Sequence, residues 1–414
     1  MSLAQELQTR GFIHQISGPS LEVIVNEEQR TIYHGIDPSA DSAHAGNFVI
    51  WMLLRHLAHA GHRIVFLVGG GTGMIGDPKP DAERQLKDPE LVASNVAKIK
   101  LQAERIFANY DIEFVNNLDW LGELKLIDFL RDIGKHYTVN ELIKKDAIAT
   151  RLASDTGLSY TEFAYPLLQG YDYLQLFETK GCTVQIGGSD QWGNIVSGVE
   201  LVRRKKQAEV FAITVPLIID KTTGKKFGKS EGNAVWLDAE KTSPHQFYQF
   251  WLNVSDESVI EHLKRFTFLP LEKIEELNQK LANDPGSRLA QKTLAHAVTE
   301  IVHGEVIAHA VQNVSEILFG DRSITAITEE ERMVLFQNAP MYDVDFGREL
   351  IDVLVETKLA SSKREARTFI ESGAVTVNGE KIGNVDAVLT EIQTGNDLLL
   401  LKRGKRQLCI LRIK

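Results

Sequence analysis

An α/β protein is expected, with a parallel sheet and helical crossovers over residues 1–244, helices over 245–320, a linker at 321–345 and a small α+β module at 346–414. Strand-like and helix-like stretches alternate through the first half, and strand, helix, strand repeats imply parallel pairing through right-handed crossovers. From about residue 245 the apolar residues fall every three or four positions, the period of a helix buried on one face. The tail returns to strand-like runs around an Asn-Gly turn.

Element by element, RTIYHGI and RIVFLVG read as strands flanking a helix over 47–60, which Gly61 closes as a C-terminal cap. TVQIGG and EVFAITVPLII form a second pair, separated by SDQWGNIVSGVELVRRKK as a helix. SDESVIEHLKRF, LEKIEELNQKLA, DPGSRLAQKTLAHAVTEIVHG and EVIAHAVQNVSEILFG follow as helices, with Asp284-Pro285 as an N-cap and first-turn pair. Residues 320–345 lose periodicity and contain an Asn-Ala-Pro break, the grounds for a linker. In the last module two short helices precede the hairpin AVTVNGEKI and the strands of LLLLKRGKRQLCILRI.

With 414 residues, 43% hydrophobic and 25% charged, the chain can bury cores for two or three domains. Cys182 and Cys409 stand far apart, outside any CxxC or Cys/His cluster, so neither a disulfide framework nor a zinc site is indicated, and a reducing, cytoplasmic setting is expected. The opening MSLAQELQTRGFIHQIS has no long apolar core, and no apolar run would span a membrane. The net charge of -10 is uneven: Lys and Arg lead Asp and Glu by 12 to 9 over 347–414 and trail them by 34 to 47 over 1–346. A mildly basic tail on an acidic body suits a nucleic-acid partner gripped at a few places.

Three stretches carry the chemistry. GTGMIG, residues 71–76, follows a strand and matches the GxGxxG dinucleotide fingerprint. That fingerprint needs a helix running on from its last glycine, and Asp77-Pro78-Lys79-Pro80 places two prolines in the first turns. A nicotinamide cofactor is therefore rejected, leaving a glycine loop where backbone approaches a ligand, or a plain turn. KTTGKKFGKSEGNAVWLD sets Lys225, Lys226, Lys229 and Ser230 among glycines, a cationic loop able to close over a polyphosphate or a solvated lysine-rich turn. YHGIDPSADSAHAGN ends a strand and enters a helix through HAGN, so His44 and Asn47 fall near a helix N-terminus, where backbone N–H groups favour anions. Three residues apart, the two can face one phosphate; taken alone, His44 reads as a surface loop histidine.

HAGN resembles the HIGH signature, and KFGKS the KMSKS signature, of class I aminoacyl-tRNA synthetases. GGGTGMIGDP, YPLLQGYDYLQL and QIGGSDQWGNI are similar in order and spacing to bacterial tyrosyl-tRNA synthetases, and the resemblance extends over the whole chain. SSKREARTFIESGAVTVNGEKI resembles a small RNA-binding module shared by a small-subunit ribosomal protein and several RNA-modifying enzymes. The resemblance implies a Rossmann-like catalytic domain, an anticodon-recognising helical domain at 245–320 and an RNA-binding module at 346–414. It implies that tyrosine and ATP give tyrosyl-adenylate and pyrophosphate, and that the tyrosyl group then passes to the terminal ribose of tRNA(Tyr).

Carried over by position, the resemblance sets His44 and Asn47 on the ATP phosphates from one side and Lys226, Lys229 and Ser230 from the other. Gly46 would accommodate the adenine, with Gly35, Asp37, Gly188 and Asp190 completing the nucleotide site. Tyr33 and Asp172 would hydrogen-bond the tyrosine hydroxyl, and Asp77, Tyr165 and Gln169 would hold its ammonium, with Gln185 and Gln191 close by. A site built to pair a phenol leaves its groups unpaired by phenylalanine, tyrosyl-tRNA synthetases being the standing example. Asp172 lies in the apolar helical stretch GYDYLQL, where burying an isolated carboxylate is costly, unless it faces solvent. Candidate tRNA contacts are Arg203 and Arg204, which otherwise suit a helix C-terminus, and Lys363, Arg364 and Arg367 on a short helix beside Lys381. The family implies a homodimer, and magnesium with ATP, without a dedicated protein metal site. Asn47 stands where many relatives have a second histidine, Ser39 where threonine is frequent, and DPKPDAER is shorter than the lysine-containing form of that loop, with Lys79 near its start and Arg84 the cation expected to serve the phosphates. The rivals are a relative for another aromatic amino acid, an RNA binder that has lost the chemistry, and a small-molecule nucleotidyltransferase; the last leaves the RNA-binding module without a use.

Overall fold

The computed structural model describes residues 1–414 apart from 80–81, 155–156, 220–226, 228, 231–232, 390–396 and 405–406. Two compact units emerge: Met1–Thr242 with Asn253–Leu294, and Ser243–Leu252 with Ala295–Lys414. Among the described residues no helix is long and apolar enough to cross a membrane.

The first unit is built on six strands: β1 (Gln15–Ser17), β2 (Thr31–Ile36), β3 (Arg63–Val68), β4 (Ile112–Asn116), β5 (Cys182–Gly188) and β6 (Phe211–Val215), in the order β1-β6-β5-β2-β3-β4. All neighbours pair in parallel except the edge strand β1, which runs antiparallel to β6. The chain winds outward from β2 to β4, then returns to lay β5 on the other side of β2. That reversal is a topological switch point, and the crevice beyond the strand C-termini there is where open α/β sheets bind ligands. Register puts Tyr33 beside Gln185 and His34 beside Ile186 across this pair.

Helix Ala45–His59 covers one face, burying Phe48, Trp51, Met52 and Leu53, and the Trp51 ring meets Phe66 of β3 edge-on at 5.3 Å. On the other face the helices Tyr160–Lys180 and Trp192–Lys206 cross at glycines: a Cβ at Gly198 would lie 3.5 Å from the Gly170 Cα and 3.0 Å from the Tyr173 Cβ. The missing side chains let the backbones approach, which brings the polar face of Tyr160–Lys180 up to the end of β2.

Two expectations about the middle of the chain change. Helices Asp256–Phe266 and Leu271–Asn283 belong to the sheet-bearing unit, not to one helical domain over 245–320. Phe266 stacks on Phe48 at 5.9 Å, and buried Arg10 donates to the carbonyls of Lys264, Thr267 and Leu269. Apolar periodicity announces a helix but not the surface it will cover. The segment 321–345 is not a bare linker either: helix Glu329–Asn338 opens with a Thr328/Glu331 capping box. After the two-residue strands β7 (Lys229–Ser230) and β8 (Asn233–Ala234), β9 (Met341–Val344) lies within the same segment.

The second unit closes on a five-stranded sheet, β11-β10-β12-β13-β9, with β10 at Val375–Val377, β11 at Glu380–Lys381, β12 at Leu398–Arg403 and β13 at Gln407–Ile413. β9 pairs in parallel with β13. Asn378 and Gly379 both take positive φ, 50° and 87°, as a tight type I′ hairpin turn requires. Leu350, Leu354, Ile370, Leu399 and Leu411 form the core of this module.

Candidate active site

At the switch point a cavity of about 460 Å³ opens at the C-terminal ends of β2 and β5. Fourteen of the site residues expected from the sequence line it: Tyr33, Gly35, Asp37, His44, Gly46, Asn47, Asp77, Tyr165, Gln169, Asp172, Gln185, Gly188, Asp190 and Gln191. Lys226 lies outside the described residues, and Lys229 and Ser230 are described only as backbone, paired with Asn233–Ala234 in a two-stranded ladder.

One face of helix Tyr160–Lys180 carries Tyr165, Gln169 and Asp172, four and three residues apart. Asp172 is 3% exposed, not on the helix surface. Its Oδ2 accepts from Asn117 Nδ2 at 2.9 Å and its Oδ1 from Trp120 Nε1 at 2.7 Å. Burial pushes its carboxyl up to about 7 despite those two donors. Beside it the Tyr33 hydroxyl and the Oε1 atoms of Gln169 and Gln185 are buried without a hydrogen-bond partner among the described residues. Buried polar atoms are rarely left so, and three around one carboxylate mark a place for a polar ligand group.

The polar groups continue as one network. Asn117 Nδ2 also donates to Thr72 Oγ1 at 2.8 Å, Thr72 Oγ1 to Asp37 Oδ1 at 2.7 Å, and the Tyr165 hydroxyl to Asp37 Oδ2 at 2.8 Å. Burial raises the Asp37 carboxyl to about 6, against the pull of its Thr72 and Tyr165 donors. Asp77 accepts from Gln191 Nε2 at 2.9 Å and Asn194 Nδ2 at 3.0 Å, and burial raises it too. Of the glycines at 71–76 read as a ligand-approach loop, Gly71 does not line the cavity, and a Cβ there would fall 2.9 Å from Leu121 Cδ1. Gly69 and Gly70 do not line the cavity; a Cβ there would fall 2.3 Å from Asp37 Oδ1 and 2.3 Å from Asn116 Oδ1, so the network's own side chains occupy that space. Gly73 and Gly76 do line it, and the helix after Gly71 ends at Ile75, too short for a dinucleotide fingerprint.

At the other end His44 is the N-cap of helix Ala45–His59. Its Nδ1 accepts from the Gly46 N–H at 3.0 Å, and Asn47 Oδ1 accepts from the His44 N–H at 3.1 Å. The exchange commits the Asn47 carbonyl to the cap and leaves its NH₂ as the donor, so an asparagine here presents the same polarity as a donating histidine. Gly46 has a second reason to be glycine: a Cβ would sit 2.9 Å from the His44 ring.

Comparisons with known proteins place the chain in a family. Residues 25–320 match the family described as tRNA synthetases class I (W and Y). The chain belongs to this family. Residues 331–411 match a tyrosine–tRNA ligase SYY-like C-terminal domain. Similar along its length are tyrosine–tRNA ligase 2 of Enterococcus faecalis, 47% identical over 99% of this chain and 98% of that one, and the tyrosine–tRNA ligase of Geobacillus kaustophilus, 45% identical over 100% of both. A C-terminally truncated mitochondrial tyrosyl-tRNA synthetase of Coccidioides posadasii superposes with a TM-score of 0.68 at 30% identity, over 75% of this chain and 91% of that one. A tryptophanyl-tRNA synthetase of Encephalitozoon cuniculi, 16% identical with a TM-score of 0.55 over 74% of this chain and 90% of that one, shares the fold.

In this synthetase three of the five tRNA candidates have intramolecular partners of their own. Arg203 pairs with Glu200 at 2.5 Å, Arg204 with Glu141 at 3.3 Å, and Lys363 with Asp352 at 2.5 Å. Arg364 and Arg367 are exposed on helix Lys363–Glu371. Sequence reading missed Asn117, Trp120, Thr72 and Asn194, which hold the carboxylates, and Lys87, a cation that lines the cavity while donating to the Ser39 carbonyl at 2.6 Å. The Asn116-Asn117 pair after an apolar strand was the available signal for the first.

Asp172 also predicts a pH dependence. A carboxyl raised in the folded state gives stability that is complete below the unfolded value and is lost as pH rises through the folded one. Wild type should therefore lose stability between pH ~4 and about 7 relative to Asp172→Asn, with the difference flat above ~8. Denaturant titrations of both ligand-free proteins across that range check it; a constant difference would show that Asp172 ionises as in the unfolded chain.

Proposed function

We infer that this synthetase is a tyrosine–tRNA ligase, acting in the cytoplasm where its substrates meet. The tyrosine carboxylate attacks the α-phosphorus of ATP, the bond to the β-phosphate breaks and pyrophosphate leaves; a ribose hydroxyl of tRNA(Tyr) then attacks the activated carbonyl and AMP leaves. The observation that carries the choice of amino acid is the buried Asp172 carboxylate beside the Tyr33 hydroxyl, unpartnered among the described residues. A phenol between them donates to Asp172 and accepts from Tyr33, satisfying both; phenylalanine leaves Tyr33 unpaired and Asp172 with only its Asn117 and Trp120 donors, and an indole N–H, a donor only, leaves Tyr33 without an acceptor.

The remaining roles are assigned to residues that line the cavity, apart from Lys226, Lys229 and Ser230, whose roles rest on the resemblance of KFGKS. Asp77, Tyr165 and Gln169 hold the ammonium, with Gln185 and Gln191 nearby. His44 and Asn47 face the phosphates from the helix N-terminus, Lys226, Lys229 and Ser230 close from the opposite loop, and Gly35, Asp37, Gly46, Gly188 and Asp190 take the nucleoside. No covalent enzyme intermediate is needed, so catalysis is positioning and electrostatic stabilisation of the phosphates' developing charge. Among the described residues no three His, Cys, Asp or Glu side chains gather into a cation site, so no protein ligands are assigned to the magnesium expected with ATP, and no step is routed through it.

Exchange of labelled pyrophosphate into ATP, run with tyrosine, phenylalanine and tryptophan, tests the assignment. Exchange with tyrosine alone is expected; Tyr33→Phe should lower kcat/KM for tyrosine by about tenfold and Asp172→Asn by roughly tenfold to a hundredfold. No exchange with any of the three, from folded protein, would favour an RNA-binding relative without chemistry. Arg364 and Arg367, two exposed cations three apart on one helix, are assigned to the tRNA backbone. Replacing both by Glu should raise KM for tRNA by about tenfold and flatten its salt dependence while leaving pyrophosphate exchange unchanged.

The chain is further assigned to a homodimer. Helix Leu126–Asp132 presents Leu126 and Ile127, each 70% exposed, and Val139 and Tyr160 are exposed on the same stretch of chain. Apolar side chains left open in this way suit a protein interface. Sedimentation of wild type as a dimer and of Ile127→Asp as a shifted or fully monomeric species is the expected result; a wild-type monomer at micromolar concentration would remove the assignment.

A further inference from the structure

The loop that follows Gly76 carries Asp77, Arg84, Gln85 and Lys87 into the cavity lining, yet no helix or strand is found among its described residues from 77 to 87. Its two limbs are tied to one ion pair outside the cavity. Arg151, from helix Asp146–Leu152, and Glu162, one turn before Tyr165 on helix Tyr160–Lys180, have side chains 0% and 2% exposed. They pair through two bonds, Arg151 Nη2 to Glu162 Oε2 at 3.1 Å and Nη1 to Oε1 at 3.3 Å. Arg151 Nη1 also donates to the carbonyls of Lys79 at 3.1 Å and Ala82 at 2.6 Å, and Nη2 to that of Gly157 at 2.5 Å. Glu162 Oε1 accepts from the Arg84 N–H at 3.1 Å, and Arg84 Nε donates to the Asp77 carbonyl at 2.8 Å.

A buried ion pair is a poor source of net stability, because desolvating two charges offsets their attraction and an apolar pair of similar volume often does as well. Its use here is geometric. A guanidinium fork reaches carbonyls in several directions at once, which an ammonium cannot do, and the atoms it reaches are backbone groups of the loop that carries Arg84. We propose that Arg151 and Glu162 are positioning residues for the activation step, holding the 77–84 loop so that Arg84 meets the departing pyrophosphate and Asp77 the amino acid. The proposal rests on the reading of the site as a tyrosine-activating one, and it separates the two half-reactions: pyrophosphate takes part in adenylate formation and its reversal, and is absent from transfer to tRNA.

The test is the Arg151→Met/Glu162→Leu double variant, apolar and close in volume, beside wild type and Arg84→Ala. The double variant should melt near wild type, form adenylate about 100-fold more slowly, reverse it with pyrophosphate as slowly, and transfer tyrosyl from preformed adenylate to tRNA at the wild-type rate. Added to Arg84→Ala, it should slow activation less than the product of the separate effects, since both remove one contribution. Wild-type activation in the double variant overturns the proposal, and so does equal slowing of both half-reactions. Wild-type activation in Arg84→Ala would instead overturn the placement of Arg84 at the phosphates. Should the double variant fail to fold, Arg151→Lys is read in the same assays with the same outcomes.

Discussion

A carboxylate removed from water is the constraint around which this protein is arranged. Charging Asp172 inside the fold would cost several kcal/mol if it stood alone, and the surrounding chain supplies donors rather than a counter-ion. Asn117 and Trp120 take one oxygen each, and Asn117 passes the constraint to Thr72, which passes it to Asp37 and so to Tyr165. The offset is incomplete, since the carboxyl still sits near neutral pH. A hydroxyl that donates to Asp172 completes the set, so the site holds an unfilled hydrogen-bonding demand that a phenol meets and a plain ring does not.

The fold makes that demand possible by where it reverses direction. Placing β5 against β2 brings Tyr33 and Gln185 side by side from segments about 150 residues apart in the sequence, and the glycine crossing of Gly170 and Gly198 lets the helix bearing Asp172 approach. The same helix face begins with Glu162, so the residue that meets the loop and the residues that meet the amino acid stand on one rigid element. Sites supported this way need little rearrangement to reach productive geometry.

Much of this was legible beforehand, for identifiable reasons. HAGN reads as a helix entrance because a polar residue before an apolar-periodic run is a cap, and His44 is that cap. The Asn378-Gly379 turn was legible because few other pairs accept two positive φ angles. The residues that support the site were not. Asn117, Trp120 and Arg151 are separated from their partners by 55, 52 and 11 positions, and no local spacing announces such pairs. Glu162 had a signal, its place three residues before Tyr165 on the face that includes Gln169 and Asp172, but a glutamate in a first helical turn is also an ordinary favourable charge there.

By itself the sequence determined the strand–helix–strand pairs of β2 with β3 and of β5 with β6, the helix entrance at His44, the hairpin at Asn378 and the identity of the polar groups available to a ligand, because periodicity, caps and turns act over a few residues and leave local marks. Only the tertiary structure decided that Asp172 is buried rather than solvated, that Gly69 and Gly70 make room for side chains rather than ligand, that helices Asp256–Phe266 and Leu271–Asn283 join the sheet-bearing unit, and that 329–344 is helix and strand. Each of these depends on which surfaces meet, and burial, desolvation and hydrogen-bond partnership belong to the meeting rather than to either segment.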